Sequence, residues 1–402
     1  MRYRPSAGGA RAPSETLRVA AAPPVRSGGP HLLDTTMLYA PHSGGVTRYL
    51  REKRAWLARH SAMRHTLVVP ALRDGVGPCG EIMIRTRALT RSPYRWPYDA
   101  RRWVREICAR GPDLIEAGDP GPLGWIARHA ASRLDVPLVA FCHADVLRMT
   151  DIRFSPALNG GVREYLRAFY RRCDVVIAPS RYMKDRLAQW GVDRVVVRPL
   201  GVDFEIFTPA ARAGDLRRQL ALPRDARVLV YAGRLAPEKN IDVLLRAFQK
   251  LGRRYHLVIA GEGEMSHRPP NVTLLPFVES ARELAWLLAS ADGLVHAGDQ
   301  ETFGLIFLEA MACGRGVIAP QAGAAPELVG PDAGILVHPR DPGALAEGIV
   351  AFYELGSDAF GARARARIEQ GYTWDAAMRG LLGVYRGALA APAAAFARYA
   401  AP

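Results

Sequence analysis

"DGLVHAGDQETFGLIFLEAMACGRGVIAP", Asp292 to Pro320, reads as one complete strand, loop, helix, turn and strand. Its ends, "DGLVHAG" (292–298) and "RGVIAP" (315–320), are short apolar runs without polar alternation, as parallel strands covered on both faces require. Between them, Thr302 is placed to cap a helix starting near Gly304, and Gly314 to end it. Leu305, Leu308 and Ala312 share one face and are expected to pack inward. Two carboxylates bracket the apolar turn. Glu301 lies in the loop and Glu309 five residues into the helix, roughly 7.5 Å along its axis. Both can meet one extended ligand over the helix N-terminus, because carboxylates accept hydrogen bonds from hydroxyls and sugars present several in a row.

The same unit recurs outward in both directions. Strand-like runs precede it at 65–70, 113–118, 137–143, 174–179 and 194–199, and a second series occupies 227–233, 255–261, 272–276 and, beyond the quoted stretch, 334–337. Amphipathic segments lie between them, such as Gly121–Leu134, Ser180–Trp190 and Ile241–Leu251. Repeated strand–helix units imply an α/β class with doubly wound sheets. The turn-rich "FTPAARAGD" (207–215) divides the series, so two Rossmann-like domains are expected, 31–206 and 207–372, facing one cleft. A last helix, Trp374–Tyr399 within the segment 373–402, is expected to return to the first domain. Residues 1–30 are rich in Gly, Pro, Ala and Arg and lack an apolar h-region, which predicts a disordered tail rather than a signal peptide.

At 402 residues with 49% apolar content, the chain is long enough for two cored domains. Its five cysteines show no paired spacing, and no run of about 18 apolar residues exists to span a membrane. A cytoplasmic location is expected. Residues 1–200 carry 33 Lys and Arg against 17 Asp and Glu, a net of +16, whereas residues 201–402 carry 21 against 22. Such asymmetry suggests an anionic partner for the first half, either nucleic acid or a membrane surface. No zinc knuckle, RNP motif or basic recognition helix supports nucleic acid.

Other clusters fall at strand ends. "APHSGGVTRYL" (40–50) sets Gly44 and Gly45 before a helix, where a backbone can approach a ligand and helix N–H groups meet an anion. "YAGRLAPEKN" (231–240) places Arg234 and Lys239 in one loop, a fork and a point charge suited to a diphosphate. "GEGEMS" (261–266) offers Gly263 either to a ligand or to a tight turn. "VAFCHADV" ends a strand on His143, with Asp145 beside it; a site histidine and a core histidine are both open readings.

In this order, "SGGVTRYL", "PSRYMKDRL", "RPLGVDFEIFTP", "GRLAPEKN" and "ETFGLIFLEAMACGRGVIAP" resemble the family 4 retaining glycosyltransferases of the GT-B fold, from about Asp34 to Tyr385. The resemblance implies transfer of a hexose from a nucleoside-diphosphate sugar, of the GDP-mannose or UDP-glucose type, to an acceptor hydroxyl. It implies front-face attack with retention, in which a donor phosphate oxygen takes the acceptor's proton. Glu301 would contact the transferred sugar, with His143 nearby, and Glu309 the ribose. Arg234 and Lys239 would hold the diphosphate and Gly45 would close over it. The candidate set is Glu301 and His143 at the reacting centre, with Gly44, Gly45, Arg234, Lys239, Gly263, Phe303, Gly304, Leu305 and Glu309 binding the donor. No D-x-D triplet occurs, and neither metal nor cofactor is expected. One departure bears on the donor sugar: His296-Ala297-Gly298 stands where many members have Pro-Ser. The rival enzyme class is a sugar-nucleotide epimerase of similar two-domain fold.

Between Arg85 and Arg105 stand seven arginines, interleaved with Leu89, Tyr94, Trp96, Tyr98 and Trp103. Pro93 and Pro97 confine any helix to about Tyr98–Ala109. Arginine with aromatic rings suits an anionic membrane interface. The expected acceptor is therefore a saccharide or a lipid-linked molecule, met by a peripheral enzyme on the inner face of the membrane.

Overall fold

The computed structural model describes residues 28–39, 44–88, 95–148, 159–212, 214–265 and 267–390. The tail expected over 1–30 lies, up to residue 27, outside them. So do Leu89, Arg91, Pro93 and Tyr94 of the arginine-rich stretch, and the part of the last helix expected beyond Ala390.

Among the described residues, ten strands precede residue 200: β1 His31–Thr35, β2 Arg64–Ala71, β3 Gly75–Val76, β4 Ile82–Arg85, β5 Arg87–Ala88, β6 Arg95–Trp96, β7 Leu114–Ala117, β8 Leu138–Phe141, β9 Val175–Ala178 and β10 Val195–Val197. Eight of them form one sheet in the order β10-β9-β8-β7-β1-β2-β4-β3, parallel except at β3, and β5 and β6 make a small antiparallel pair. Six more build the second sheet: β11 Arg227–Ala232, β12 Tyr255–Ala260, β13 Val272–Leu275, β14 Gly293–Val295, β15 Gly316–Pro320 and β16 Gly334–Val337. Their order, β13-β12-β11-β14-β15-β16, is parallel throughout. Both orders reverse direction beside the strand that opens the sheet, which places each ligand crevice at the carboxyl ends of the central strands.

β1 falls outside the sequence-based expectation. "HLLDT" holds three polar residues in five, so its apolarity is too low to register as a buried strand. Every one of its residues is nevertheless buried. The polar ones are matched: His31 Nε2 meets the Thr66 hydroxyl at 2.8 Å, the Thr35 hydroxyl donates to Val68 O at 2.9 Å, and Asp34 pairs with Lys53 and His65.

The helix of the opening stretch runs from Leu305 to Ala312 and is bounded by Gly304 at φ +91° and Gly314 at φ +68°. A Cβ on Gly304 would sit 2.6 Å from the Phe307 ring, so this residue must be glycine. Thr302 is not its cap. No side chain caps this helix, because the Thr302 hydroxyl is spent on the His143 carbonyl at 3.0 Å. Leu308 and Ala312 are fully buried, but Leu305 is half-buried and turns towards Gly45 of the other domain.

The chain passes between the two domains twice. On the first passage, Val202 N–H donates to Tyr372 O of the second at 2.8 Å, and Val202 bridges Thr373 in parallel. The backbones lie so close that a Cβ on Gly201 would stand 2.4 Å from the Trp374 nitrogen. After this return, the helix Trp374–Ala390 packs on the helix Gly44–His60. The Trp56 indole N–H donates to Asp375 Oδ1 at 3.0 Å, and the Tyr385 hydroxyl donates to Glu116 Oε2 at 2.5 Å.

Candidate active site

Four segments at the carboxyl ends of strands meet between the sheets: the start of the helix after β1, and the loops that follow β8, β11 and β14. Lys239, after β11, bonds through Nζ to Glu301 Oε1 after β14. His296 Nε2 stands 3.2 Å from the same oxygen. Burial works to raise the Glu301 pKa, but Lys239 and His296 outweigh it and hold the carboxyl well below the usual carboxylate range. Glu301 is therefore an anion at any working pH.

The tautomer of His296 is fixed by its own loop. Gly298 N–H donates to His296 Nδ1 at 3.0 Å, so Nε2 carries the proton and offers it to Glu301. The ring is 2% exposed and meets Phe307 edge-on at 5.3 Å. The position that departs from the Pro-Ser pattern thus holds the brace of the first glutamate.

Arg234 does not reach Glu301. Its half-exposed side chain pairs with Glu238 at 3.0 Å, while Tyr231 O–H donates to its carbonyl at 2.8 Å and pins the loop. Gly263, at φ +143°, bridges Leu235, and a Cβ there would lie 2.3 Å from the Leu235 oxygen. Close loop packing alone demands glycine at this position. Phe303 is 4% exposed and belongs to the hydrophobic core, so its ring does not line the cleft.

Glu309 is 3% exposed, and its carboxylate pairs with Arg48 from the other domain. Arg48 sits one turn into the helix that Gly44 and Gly45 open. A Cβ on Gly45 would be 3.5 Å from Leu305 Cδ1, whereas nothing lies within 4 Å of one on Gly44.

His143 stacks on Phe141 at 4.2 Å and meets Tyr49 edge-on at 5.2 Å. Burial, reinforced by the Lys53 charge, pushes its imidazole down to about 3, so it is neutral at physiological pH. Its Nε2 is buried with no hydrogen-bond partner among the described residues. Asp145 does not pair with it, because Arg186 Nε takes that carboxylate at 2.9 Å. Beneath His143 lies a fully buried ionic cluster. The Lys53 ammonium is 2.5 Å from Asp34 and 2.8 Å from Glu116, and donates to the Tyr385 hydroxyl at 3.1 Å. Burial works to lower the Lys53 pKa, but the two carboxylates outweigh it and the ammonium is raised.

The domains are joined across the cleft at further places among the described residues. Ser180 Oγ donates to Thr302 O at 2.6 Å, Arg181 N–H to Glu327 at 2.8 Å, and Arg148 reaches Asp299 at 3.3 Å. Asp299 also receives Arg340 at 2.9 Å and Asn240 at 3.2 Å. The sequence assigns a site role to none of Arg48, Ser180, Asp299 and Arg340. Arg48 alone leaves a trace there: it is three residues past Gly45 on a helix and so shares its face.

Residues 226–354 match the family model for Glycosyl transferases group 1, and residues 43–206 match that for Glycosyltransferase Family 4. The GDP-mannose-dependent alpha-mannosyltransferase of Mycobacterium tuberculosis is 35% identical over 233 residues, 57% of this chain and 61% of its own length. Its counterpart in Mycolicibacterium smegmatis is 36% identical, matched over 59% of its own length, so the chain spans about three fifths of these two relatives. The D-inositol 3-phosphate glycosyltransferase of Xylanimonas cellulosilytica is 33% identical over 66% of this chain and 69% of the relative. Among solved structures, sucrose-phosphate synthase from Thermosynechococcus elongatus superposes with a TM-score of 0.73 at 22% identity, covering 90% of this chain and 100% of that one. Anabaena HepE in complex with UDP and glucose gives 0.72 at 20% identity, over 89% and 100%. At such identities the likeness concerns the fold.

Proposed function

The chain belongs to the group 1, family 4 glycosyltransferases of the GT-B fold, and from that premise we propose that it moves a hexose from a nucleoside-diphosphate sugar to an acceptor hydroxyl with retention. The observation that carries this reading is the meeting of Lys239, His296 and Glu301 on one carboxylate oxygen, with the Thr302 hydroxyl joining that loop to His143. A buried anion held by two donors keeps one oxygen free for sugar hydroxyls. The neutral His143, with an unpartnered Nε2, has the same capacity.

The barrier lies in charge developing on the leaving diphosphate. Lys239 and Arg234 face that charge, together with the Gly44 and Gly45 amides and the uncapped N-terminus of the helix Leu305–Ala312. These groups are held before reaction by packed loops, so little reorganisation is needed as charge builds. The names of the mannosyltransferase relatives favour GDP-mannose as donor.

The acceptor is read as lipid-linked. Leu72, Val76, Trp96 and Tyr98 are 63, 67, 38 and 55% exposed. The Asp74–Arg102 ion pair, at 2.6 Å, ties the segment between the first two to the helix beside the last two. Arg73, Arg85, Arg87 and Arg101 are exposed around them. Apolar tips ringed by arginine suit an anionic headgroup layer. Among the described residues, no helix is long and apolar enough to cross a membrane. Sedimentation with liposomes should show binding that rises with anionic lipid, falls with salt and drops in Arg95→Glu/Arg101→Glu; indifference to lipid charge would favour a soluble saccharide.

The donor is tested by melting the purified protein with a panel of sugar nucleotides, because a ligand at a hundred times its Kd adds about 2.7 kcal/mol. GDP-mannose should raise the Tm most, and product NMR should show the donor's anomeric configuration. Conversion of one sugar nucleotide into another without acceptor would make the enzyme an epimerase instead.

A further inference from the structure

Glu309 is almost wholly buried, and a buried carboxylate must be matched. Here the match is a side chain from the opposite domain. Arg48 bonds it through Nη1, and the guanidinium rides 5.6 Å from the centre of the Phe207 ring, at the first passage between domains. Arg48 is itself largely covered, 25% exposed, and burial pushes its pKa down despite the neighbouring Glu52 charge. Ribose hydroxyls and Arg48 therefore compete for one carboxylate. Whatever displaces the guanidinium leaves a poorly solvated cation one turn into the helix opened by Gly44 and Gly45.

We infer that Arg48 makes the diphosphate obligatory: it withholds Glu309 from a bare nucleoside and yields it when phosphate oxygens provide the guanidinium with a new anion. The inference rests on the reading of Glu309 as the ribose acid. A nucleoside must break the ion pair and leaves Arg48 stranded, which costs as much as removing one partner of a buried pair. A nucleoside diphosphate brings the replacement partner with it. Arg48 is thus a specificity residue that rejects nucleosides, acting at the same carboxylate that accepts the correct ligand.

The test is calorimetry of guanosine and GDP, with uridine and UDP in parallel, on the wild type, Arg48→Met, Glu309→Gln and the double variant. Methionine keeps an apolar stem over Phe207, and the double variant leaves no unpaired buried charge should the single variant fold poorly. Arg48→Met should tighten the nucleoside about tenfold and weaken the diphosphate about tenfold. The ratio of their affinities then shrinks about a hundredfold. The double variant should show the same shrunken ratio with both ligands weak. An Arg48→Met or double-variant ratio equal to that of the wild type overturns the inference. If Glu309→Gln leaves nucleoside affinity unchanged, the ribose reading itself fails. If that variant weakens the nucleoside while the Arg48→Met ratio holds, the role of Arg48 alone fails.

Discussion

The hydroxyl of Ser180 donates to the carbonyl of Thr302 at 2.6 Å, from the first domain to the second across 122 residues of chain. The same oxygen accepts Met183 N–H at 3.1 Å, capping the helix Arg181–Gln189. Ser180→Ala removes both bonds and should lower stability by about 1–2 kcal/mol. A urea titration measures it. Unfolding at the wild-type midpoint would mean that the cross-domain bond contributes nothing.

The two glutamates should separate by function. Glu301→Gln removes the charge that pairs with Lys239, and turnover should fall by orders of magnitude while nucleotide affinity changes little. Glu309→Gln should mainly weaken nucleotide binding. Steady-state kinetics beside calorimetry distinguishes them, and wild-type transfer rates in both variants would refute the assignment.

Lys53→Met should be among the most damaging changes outside the cleft. It leaves Glu116 buried without its counter-charge and Asp34 with only His65, a loss of about 3–5 kcal/mol. Lys53→Met/Glu116→Gln should recover part of that. Denaturant midpoints report both, and equal loss in the single and double variants would argue that packing alone matters.

His143 gives the acid dependence a definite sign. Its pKa is about 3 when folded against 6.5 when free. Between those values the unfolded chain holds a proton that the folded chain excludes. Stability on this account is full above about 6.5 and declines as the pH falls towards 3. Denaturation at a series of pH values should show His143→Gln with a shallower decline, by up to one proton. A slope unchanged by the substitution would show that His143 titrates normally.

Much of the architecture is legible in the sequence because parallel strands buried on both faces leave unbroken apolar runs, and every run identified that way is a strand. β1 is not legible, since its polar residues are matched by Lys53, His65 and Thr66, which lie elsewhere in the chain. At the site Glu301 and Lys239 can be placed at one cleft because their motifs each end a strand, but their pairing with each other is not legible, since the sequence assigns them to different parts of the donor. The partner of Glu309 is not legible either, because Arg48 is 261 positions away and meets it only when two separate sheets face each other. Thr302 shows the limit of local rules: the residue suited to cap a helix is diverted by a carbonyl of the opposite domain.

The return of the helix Trp374–Ala390 sets an order of assembly. Residues between the two bonded passages form a complete sheet with its own helices, and can close as soon as they are made. The first sheet has to wait, since the Tyr385 hydroxyl that joins Lys53 and Glu116 is synthesised after the whole second sheet. On a ribosome the half made first is therefore finished last, and a chain stopped before Tyr385 would carry a folded second domain beside a first one whose buried Lys53 and Glu116 each lack a hydrogen-bond partner.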